Sequence, residues 1–177
     1  MQLMTDSGSL FDGPYKVDWP TGERRVRGQI RDGLKQDEWS WWCREGTQRR
    51  TAMYDGGRLH GPVSRWYPSG RIREQLSYQR GNRHGPWAAW HANGRTSIDG
   101  EFNQGRPHRV LLCFWDSGRA RIAGNFWLGV PVGEWRAWTE NGALVHRGLF
   151  EPEVFMDLLP DDIASEMSFR SSQSRVA

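Results

Sequence analysis

Glycine recurs in this chain at a fixed interval of 24 residues, and that spacing constrains the fold more than any other feature. One column runs Gly22, Gly46, Gly70, Gly94, Gly118 and Gly142, six copies with neither gap nor insertion. A second runs Gly33, Gly57, Gly81, Gly105 and Gly129, and a partial third holds Gly61, Gly85 and Gly133. Aromatic residues keep the same interval. Trp39, Trp87 and Trp135 share a slot with Tyr15, Val63 and Leu111, while Trp42, Trp66, Trp90 and Trp138 share another with Phe114. Ile30, Tyr54, Tyr78, Phe102, Phe126 and Phe150 form a third apolar column. Self-similarity at a period of about 20 to 50 residues marks a repeat architecture, in which each copy is one supersecondary unit.

The fourth copy shows what that unit is. Asn93-Gly94 stands between two short runs, and Asn-Gly is the strongest local hairpin signal because a type I′ turn needs positive φ at both central residues. Thr21-Gly22, Ser69-Gly70, Ser117-Gly118 and Asn141-Gly142 hold the same place in other copies. Each repeat therefore predicts a strand, a tight turn and a second strand. Counting outward from a two-residue loop pairs Trp87 with Gly100, Tyr15 with Gly28 and Trp135 with Gly148, so that a ring covers bare backbone. Val63 opposite Leu76 is the same contact with the volumes exchanged. Trp87 and Trp90 differ in parity: a regular strand sends them to opposite faces, and a bulge brings them together. One hairpin cannot bury its face alone. The expected fold class is therefore all-β, an elongated array of six hairpins in one continuous, twisted antiparallel sheet.

Composition agrees with a thin sheet. The 177 residues include 11 Trp and 21 Gly, so apolar burial must come mainly from rings packed beside glycine. No run approaches the roughly 18 apolar residues of a membrane span, and the start has neither a basic nor an apolar leader region, which reads as a cytoplasmic protein. Cys43 and Cys113 fall about three hairpins apart, on the order of 29 Å at ~4.8 Å per strand, too far for a bridge, and both read as strand residues.

The formal charge of +3 divides unevenly. Residues 151–177 hold six acids against two arginines, a net of −4, which leaves +7 on residues 1–150. Almost all the positive charge is Arg, with Lys only at positions 16 and 35. The basic surface thus offers planar forks suited to carboxylates, phosphates and aromatic stacking.

The columns Trp-x-x-Trp-x-x-Asn-Gly and Gly-x-Phe-x-x-Gly, carried by Trp87, Trp90, Asn93, Gly94, Gly100, Phe102 and Gly105 with Gly85 before them, resemble the MORN-repeat variant of many bacterial proteins. The resemblance covers residues 14–150. It implies a scaffold of hairpins, often an antitoxin or immunity component, and MORN repeats more widely are associated with protein scaffolding and sometimes phospholipid binding. Two departures stand out: Arg109 replaces the third glycine, which implies a local change near Pro107, and no closing turn follows Phe150, which implies a truncated sixth copy.

Residues 151–169 place Val154, Phe155, Leu158 and Leu159 at helical spacing, then Pro160 and a second amphipathic stretch. One or two short helices are expected there, docked as an acidic cap on the last hairpin. The alternatives are a solubilising tail and a segment that lies across the basic sheet and occludes it. Residues 1–13 and 170–177 read as disordered.

His60, His84 and His108 recur with the repeat, but adjacent copies lie on the order of 10 Å apart, too far for ligands that sit about 2 Å from one ion. No nucleophile elbow, phosphate loop, Cys-x-x-Cys or His-Glu-x-x-His occurs. No catalytic, cofactor-binding or metal residues are expected, and the chain reads as non-enzymatic. What remains is surface. Arg49, Arg73 and Arg121 share one slot and Arg71, Arg95 and Arg119 another, either a solvated face or a strip complementary to anions. The expected partner contacts are Arg71, Arg95, Arg119, Arg73 and Arg121 with Trp66, Trp90 and Trp138. The favoured partner is a protein, such as a toxin; the alternative is a polyanion, either nucleic acid or anionic lipid.

Overall fold

A computed structural model describes residues 10–161, 163 and 164. It consists of one antiparallel sheet in which strands neighbour each other in chain order. Six hairpins supply it. They are β1 (Gly13–Asp18) with β2 (Arg24–Arg31), β3 (Leu34–Trp42) with β4 (Gln48–Asp55), β5 (Arg58–Trp66) with β6 (Ile72–Gln79), and β7 (Asn82–Trp90) with β8 (Thr96–Asn103). A two-residue strand β9 (Arg106–Pro107) pairs with β8 and precedes β10 (Arg109–Phe114) with β11 (Ala120–Trp127). The last hairpin is β12 (Val130–Trp138) with β13 (Leu144–Gly148).

The pairs expected from the repeat are in register: Tyr15 with Gly28, Val63 with Leu76, Trp87 with Gly100 and Trp135 with Gly148. The turns are exchanged relative to expectation. Within each hairpin turn only the glycine has positive φ, at +89° for Gly94, and its N–H donates to the His91 carbonyl at 2.8 Å while His91 N–H donates to the Arg95 carbonyl. That is a type I turn followed by a left-handed residue, which closes a three-residue loop. Type I′ turns occur instead between hairpins, where Asp32-Gly33, Arg80-Gly81, Gln104-Gly105 and Leu128-Gly129 all have positive φ at both positions. The glycine of each such turn is tied backward, Gly57 to the Lys35 carbonyl at 2.8 Å and Gly105 to that of Arg83 at 2.7 Å. The glycine column recorded the left-handed position in both turn types; the Asn before it pointed to the wrong one.

The three-residue loop leaves one extra residue on the second strand of each hairpin. Trp41 pairs with Arg50 but Trp42 with Gln48; Arg65 pairs with Glu74 but Trp66 with Ile72; Cys113 pairs with Ile122 but Phe114 with Ala120. Arg49, Arg73 and Arg121 are the unpaired residues, so one of the two Arg ladders is a row of β-bulges. Because the first strand stays regular, Trp87 and Trp90 leave the sheet on opposite faces. Trp87 belongs to the buried face, called the front here, and Trp90 to the half-buried back.

Ile30, Trp39, Ala52, Val63, Leu76, Trp87, Phe102, Leu111, Phe126 and Trp135 form the buried front row. The rings cover glycines as expected, but in the preceding hairpin rather than their own. A Cβ on Gly28 would stand 2.2 Å from the Trp39 ring, and one on Gly124 2.2 Å from Trp135; a Cβ on Gly148 would meet His146 instead. Gly28 faces the bulged residues 37–39, where β3 gives three residues to one of β2, and the crowded strand leans over the bare one. Trp87 departs from this, since Leu76 precedes it, and its ring sits 3.5 Å from the Cβ position of its own Gly100.

Arg109 keeps the left-handed backbone of the column at φ +61°, as does Asp37 at +58° within the unbroken β3, so the strand break between β9 and β10 at His108 does not follow from the missing glycine alone. Near the C-terminus, α1 (Pro152–Phe155) and a following turn at Pro160 lay Phe155, Leu159 and Ile163 on the front of the last hairpins. All three are at most 5% exposed. At the other end, residues 10–12 are held by the sheet: the Phe11 carbonyl accepts from Gly33 at 3.0 Å and Asp12 accepts from the Asp32 N–H. The remainder of the stretches expected to be disordered, residues 1–9 and 170–177, lies outside the described residues. Cys113 is buried in β10, whereas Cys43 follows β3 at the start of a turn rather than within a strand, and both thiols are free.

Candidate interaction surfaces

The second Arg ladder stitches one repeat to the next. Arg71 Nη1 donates to the Ala92 carbonyl at 3.0 Å, Arg95 Nη1 to Ser117 at 2.7 Å and Asp116 at 3.2 Å, and Arg119 Nη1 to Glu140 at 3.2 Å. Each guanidinium thereby caps the carbonyls of the following turn, which would otherwise face solvent. All three side chains remain exposed, with further N–H groups directed outward. Arg121 stacks on Trp115 at 4.5 Å and reaches the Asp157 carbonyl at 3.4 Å, so it joins the sheet to the cap. Arg73 is exposed. Trp66, Trp90 and Trp138 are half-buried on the back face. Their neighbours in the next slot link the repeats as well: Tyr67 Oη donates to the Trp90 carbonyl at 2.8 Å and Trp115 Nε1 to that of Trp138 at 3.1 Å.

The back face changes character at its C-terminal end. Trp127 pairs with Val130 and Asn125 with both Val110 and Val132 in the flanking strands, so four apolar residues share one side. Trp127 is 63% exposed and Val110, Val130 and Val132 between 41% and 55%. His108 lies tilted against Trp127, the ring centroids 4.9 Å apart, and its Nδ1 accepts the Leu128 N–H. The corresponding residues in earlier copies are polar: Arg31, Asp55, Gln79 and Asn103 precede Trp127 in its column, and Gln36, His60, His84 and His108 precede Val132. Beside the patch, Glu134 bridges Arg136 and Arg147. Those two hydrogen-bonded guanidiniums hold its carboxyl below the usual carboxylate range.

On the front, the two ends of the sheet differ. Around the last hairpins the face is closed by Phe155, which stands 5.3 Å from Trp135 and 5.2 Å from Phe150. Around β2, β3 and β4 it opens into a groove of about 610 Å³ lined by Tyr15, Val26, Ile30, Trp39, Trp41 and Tyr54. Lys35 extends over this floor, its Nζ 4.4 Å from the Trp39 ring, 5.1 Å from Tyr54 and 5.3 Å from Trp41. Arg50 lies 5.0 Å over Trp41, with its Nε buried and without a hydrogen-bond partner among the described residues. Burial first, and the Arg50 charge second, hold the Lys35 ammonium below its usual pKa. Between the two regions the face is crossed by the Arg65–Glu74 ion pair, whose carboxylate also accepts from Trp87 Nε1 at 3.1 Å.

Reading columns for their agreement found the Arg ladders and missed both surfaces. The signal lay in the disagreements: Trp127 in a polar column, and Lys35 as one of two lysines, in a slot held elsewhere by Leu59, Arg83, Pro107 and Pro131.

Comparison with protein-family models gives no match. Comparison with curated proteins gives none either. Among solved structures, a GtfA/B complex bound to UDP and GlcNAc is similar to 71% of the chain at 15% identity, with a TM-score of 0.26. The chain spans only 26% of that protein's length. Among the described residues no helix is long and apolar enough to cross a membrane.

Proposed function

We propose that this chain is a non-catalytic protein-binding repeat module that engages a partner through the back face of its last two hairpins. The observation that carries the reading is Trp127, a large ring 63% exposed in a slot that four preceding copies fill with polar residues. A repeat that serves only as a scaffold has no reason to change two aligned columns from polar to apolar at one place. Exposed apolar patches of that kind mark protein interfaces, and Trp is the residue most enriched where binding energy concentrates. The charged rim of Glu134, Arg136 and Arg147 suits the polar border such interfaces carry.

The finer reading follows the MORN resemblance: an antitoxin or immunity protein, acting in the cytoplasm, that neutralises a toxin by covering it. The test is affinity recovery from the native host with the wild-type chain and with Trp127→Asp as paired baits. A protein retained through moderate salt by the first and absent from the second supports the reading; identical recoveries reject it. The polyanion alternative rests on the exposed Arg71, Arg95 and Arg119. It requires binding to DNA or anionic vesicles that falls linearly in log affinity with log salt and is lost when all three become Ala.

A further inference from the structure

The groove at the N-terminal end is the repeat-equivalent of the place where the chain seats its own acidic cap, α1 and the turns after it. Four repeats, or 96 residues, separate them. Advancing by that interval carries Tyr15, Val26, Ile30, Trp39, Trp41 and Tyr54 onto Leu111, Ile122, Phe126, Trp135, Ala137 and Phe150. Every residue of the second set belongs to, or packs against, the core that Phe155, Leu159 and Ile163 complete. The first set lines the groove, with Ile30 and Trp39 buried at its floor and Tyr15, Val26, Trp41 and Tyr54 half-buried around them.

The substitutions between the two sets state what the groove would take. Arg50 replaces His146, which in the closed half stands 3.8 Å from Glu151 at the start of the cap. Lys35 replaces Pro131, and Arg58 stands at the groove rim. Among the described residues neither Lys35 nor Arg50 has a carboxylate partner, although the two repel each other. Two partly desolvated cations over aromatic rings favour an anion that brings its own apolar surface. A free anion supplies no such surface. An apolar helix without acids leaves the cations unpaired.

We infer that the groove is a docking site for an acidic amphipathic helical segment of a partner protein, with apolar residues at i, i+4 and i+8, the spacing of Phe155, Leu159 and Ile163 along α1 and the turns that follow it. Its carboxylates meet Arg50, Lys35 and Arg58, and its first apolar side chain packs over Trp39 and Tyr54, as Phe155 does over Trp135 and Phe150, displacing the Lys35 ammonium from the rings. The site is separate from the Trp127 patch and does not rest on it.

The test uses the full chain and a fluorescein-labelled peptide with the sequence of residues 151–164, which carries that pattern. Anisotropy should show saturable binding, weakened at least tenfold by Lys35→Glu, by Arg58→Glu, and by Phe155→Ala in the peptide, and unchanged by Trp127→Asp in the chain. Circular dichroism on each variant checks the sheet, and Arg58→Glu serves if Lys35→Glu does not fold. Absence of binding overturns the inference. So does binding indifferent to both charge reversals, which would mean that the peptide exchanges with the resident cap. Binding that appears only after removal of residues 1–9 also overturns it, since the groove would then belong to the chain's own start.

Discussion

The second and sixth hairpins place a Trp at the same register over a glycine of the preceding strand, and only the sixth is covered by a second layer. Trp135 is fully buried because Phe126, Phe150 and Phe155 surround it at 5.0 to 5.3 Å. Trp39 is covered by Tyr15, Tyr54 and its own strand neighbour Trp41, with Lys35 in place of a helix. A single sheet closes its own backbone by laying Trp over Gly, but it has no second layer to cover the outer side of that Trp. At the C-terminal end the chain supplies the layer from residues 152–164. At the N-terminal end the described residues leave it to side chains that reach over from the rim. Sequence identity between repeats therefore fixes the hairpin and not the environment of its rings.

The largest difference should follow from removing the second layer at its centre. Phe155→Ala empties a site that is 0% exposed, and large-to-small changes of this kind cost about 3–5 kcal/mol. Tyr54→Ala, the change on the open half at the column of Phe150, leaves a gap beside an existing groove, where solvent and Lys35 can move in; about 1 kcal/mol is expected. Urea denaturation of both variants measures the contrast. Equal losses would mean that the two halves are equally packed.

The glycines beneath the two Trp residues sharpen this further. A Cβ at Gly28 or at Gly124 meets a ring atom at the same 2.2 Å, so sterics at the contact are alike. What differs is the freedom of the ring to move. Trp39, although buried and hydrogen-bonded through Nε1 to the Gln29 carbonyl, has a groove on one side, whereas Trp135 has Phe155 there. Gly124→Ala should cost about 2–3 kcal/mol, within the usual cost of overpacking, and Gly28→Ala about 1 kcal/mol. Near-equal costs in chemical denaturation would show that Trp39 is as confined as Trp135.

Much of this was legible in the sequence. The interval, the hairpin and the pairings of Trp87 with Gly100 and Val63 with Leu76 follow from glycine spacing and parity, and the short helix after residue 151 from the helical spacing of Val154, Phe155, Leu158 and Leu159. The turn types did not, because a left-handed glycine closes both a type I′ turn and a type I turn with a bulge, and the residue before it decides only weakly. Nor did the site of ring contact, since a strand has two neighbours and pairing within a hairpin says nothing about which one the ring leans over. The Trp127 patch and the Lys35 groove are invisible to a reading that averages over copies. Each is defined by one copy's departure from the rest.

The two thiols offer a smaller contrast. Burial pushes the Cys113 thiol up to about 12, against an unfolded value of about 8.5. A group whose pKa is raised by folding lends stability that is complete below the unfolded value and lost as pH climbs toward the folded one. Stability should accordingly decline from about pH 8.5 upward, by at most ~1.4 kcal/mol per pH unit, and the decline should vanish in Cys113→Ala. At pH 8 iodoacetamide should modify Cys43, half-buried beside a turn, well before Cys113. Simultaneous modification of both would show that the closed half opens as easily as the other end.

The smallest expected effect concerns the turns between hairpins at the two ends of the array. The first has Asp32-Gly33 and the last Leu128-Gly129, with φ of +51° at Asp32 and +48° at Leu128. Left-handed backbone costs an ordinary L-residue about 1–2 kcal/mol, and Asn and Asp less, because their short polar side chains bond locally. Leu128→Asn should therefore raise stability by about 0.5–1 kcal/mol, and Asp32→Leu should lower it by a similar amount. Both are read as shifts in the urea midpoint at constant slope. A destabilised Leu128→Asn would mean that the leucine is kept for its place beside His108 and Trp127, where its N–H bonds to His108 Nδ1, and would extend the apolar patch into the turn itself. A stabilised one leaves the strain without a structural use, as expected where one end of a repeat has been altered for contact with a partner.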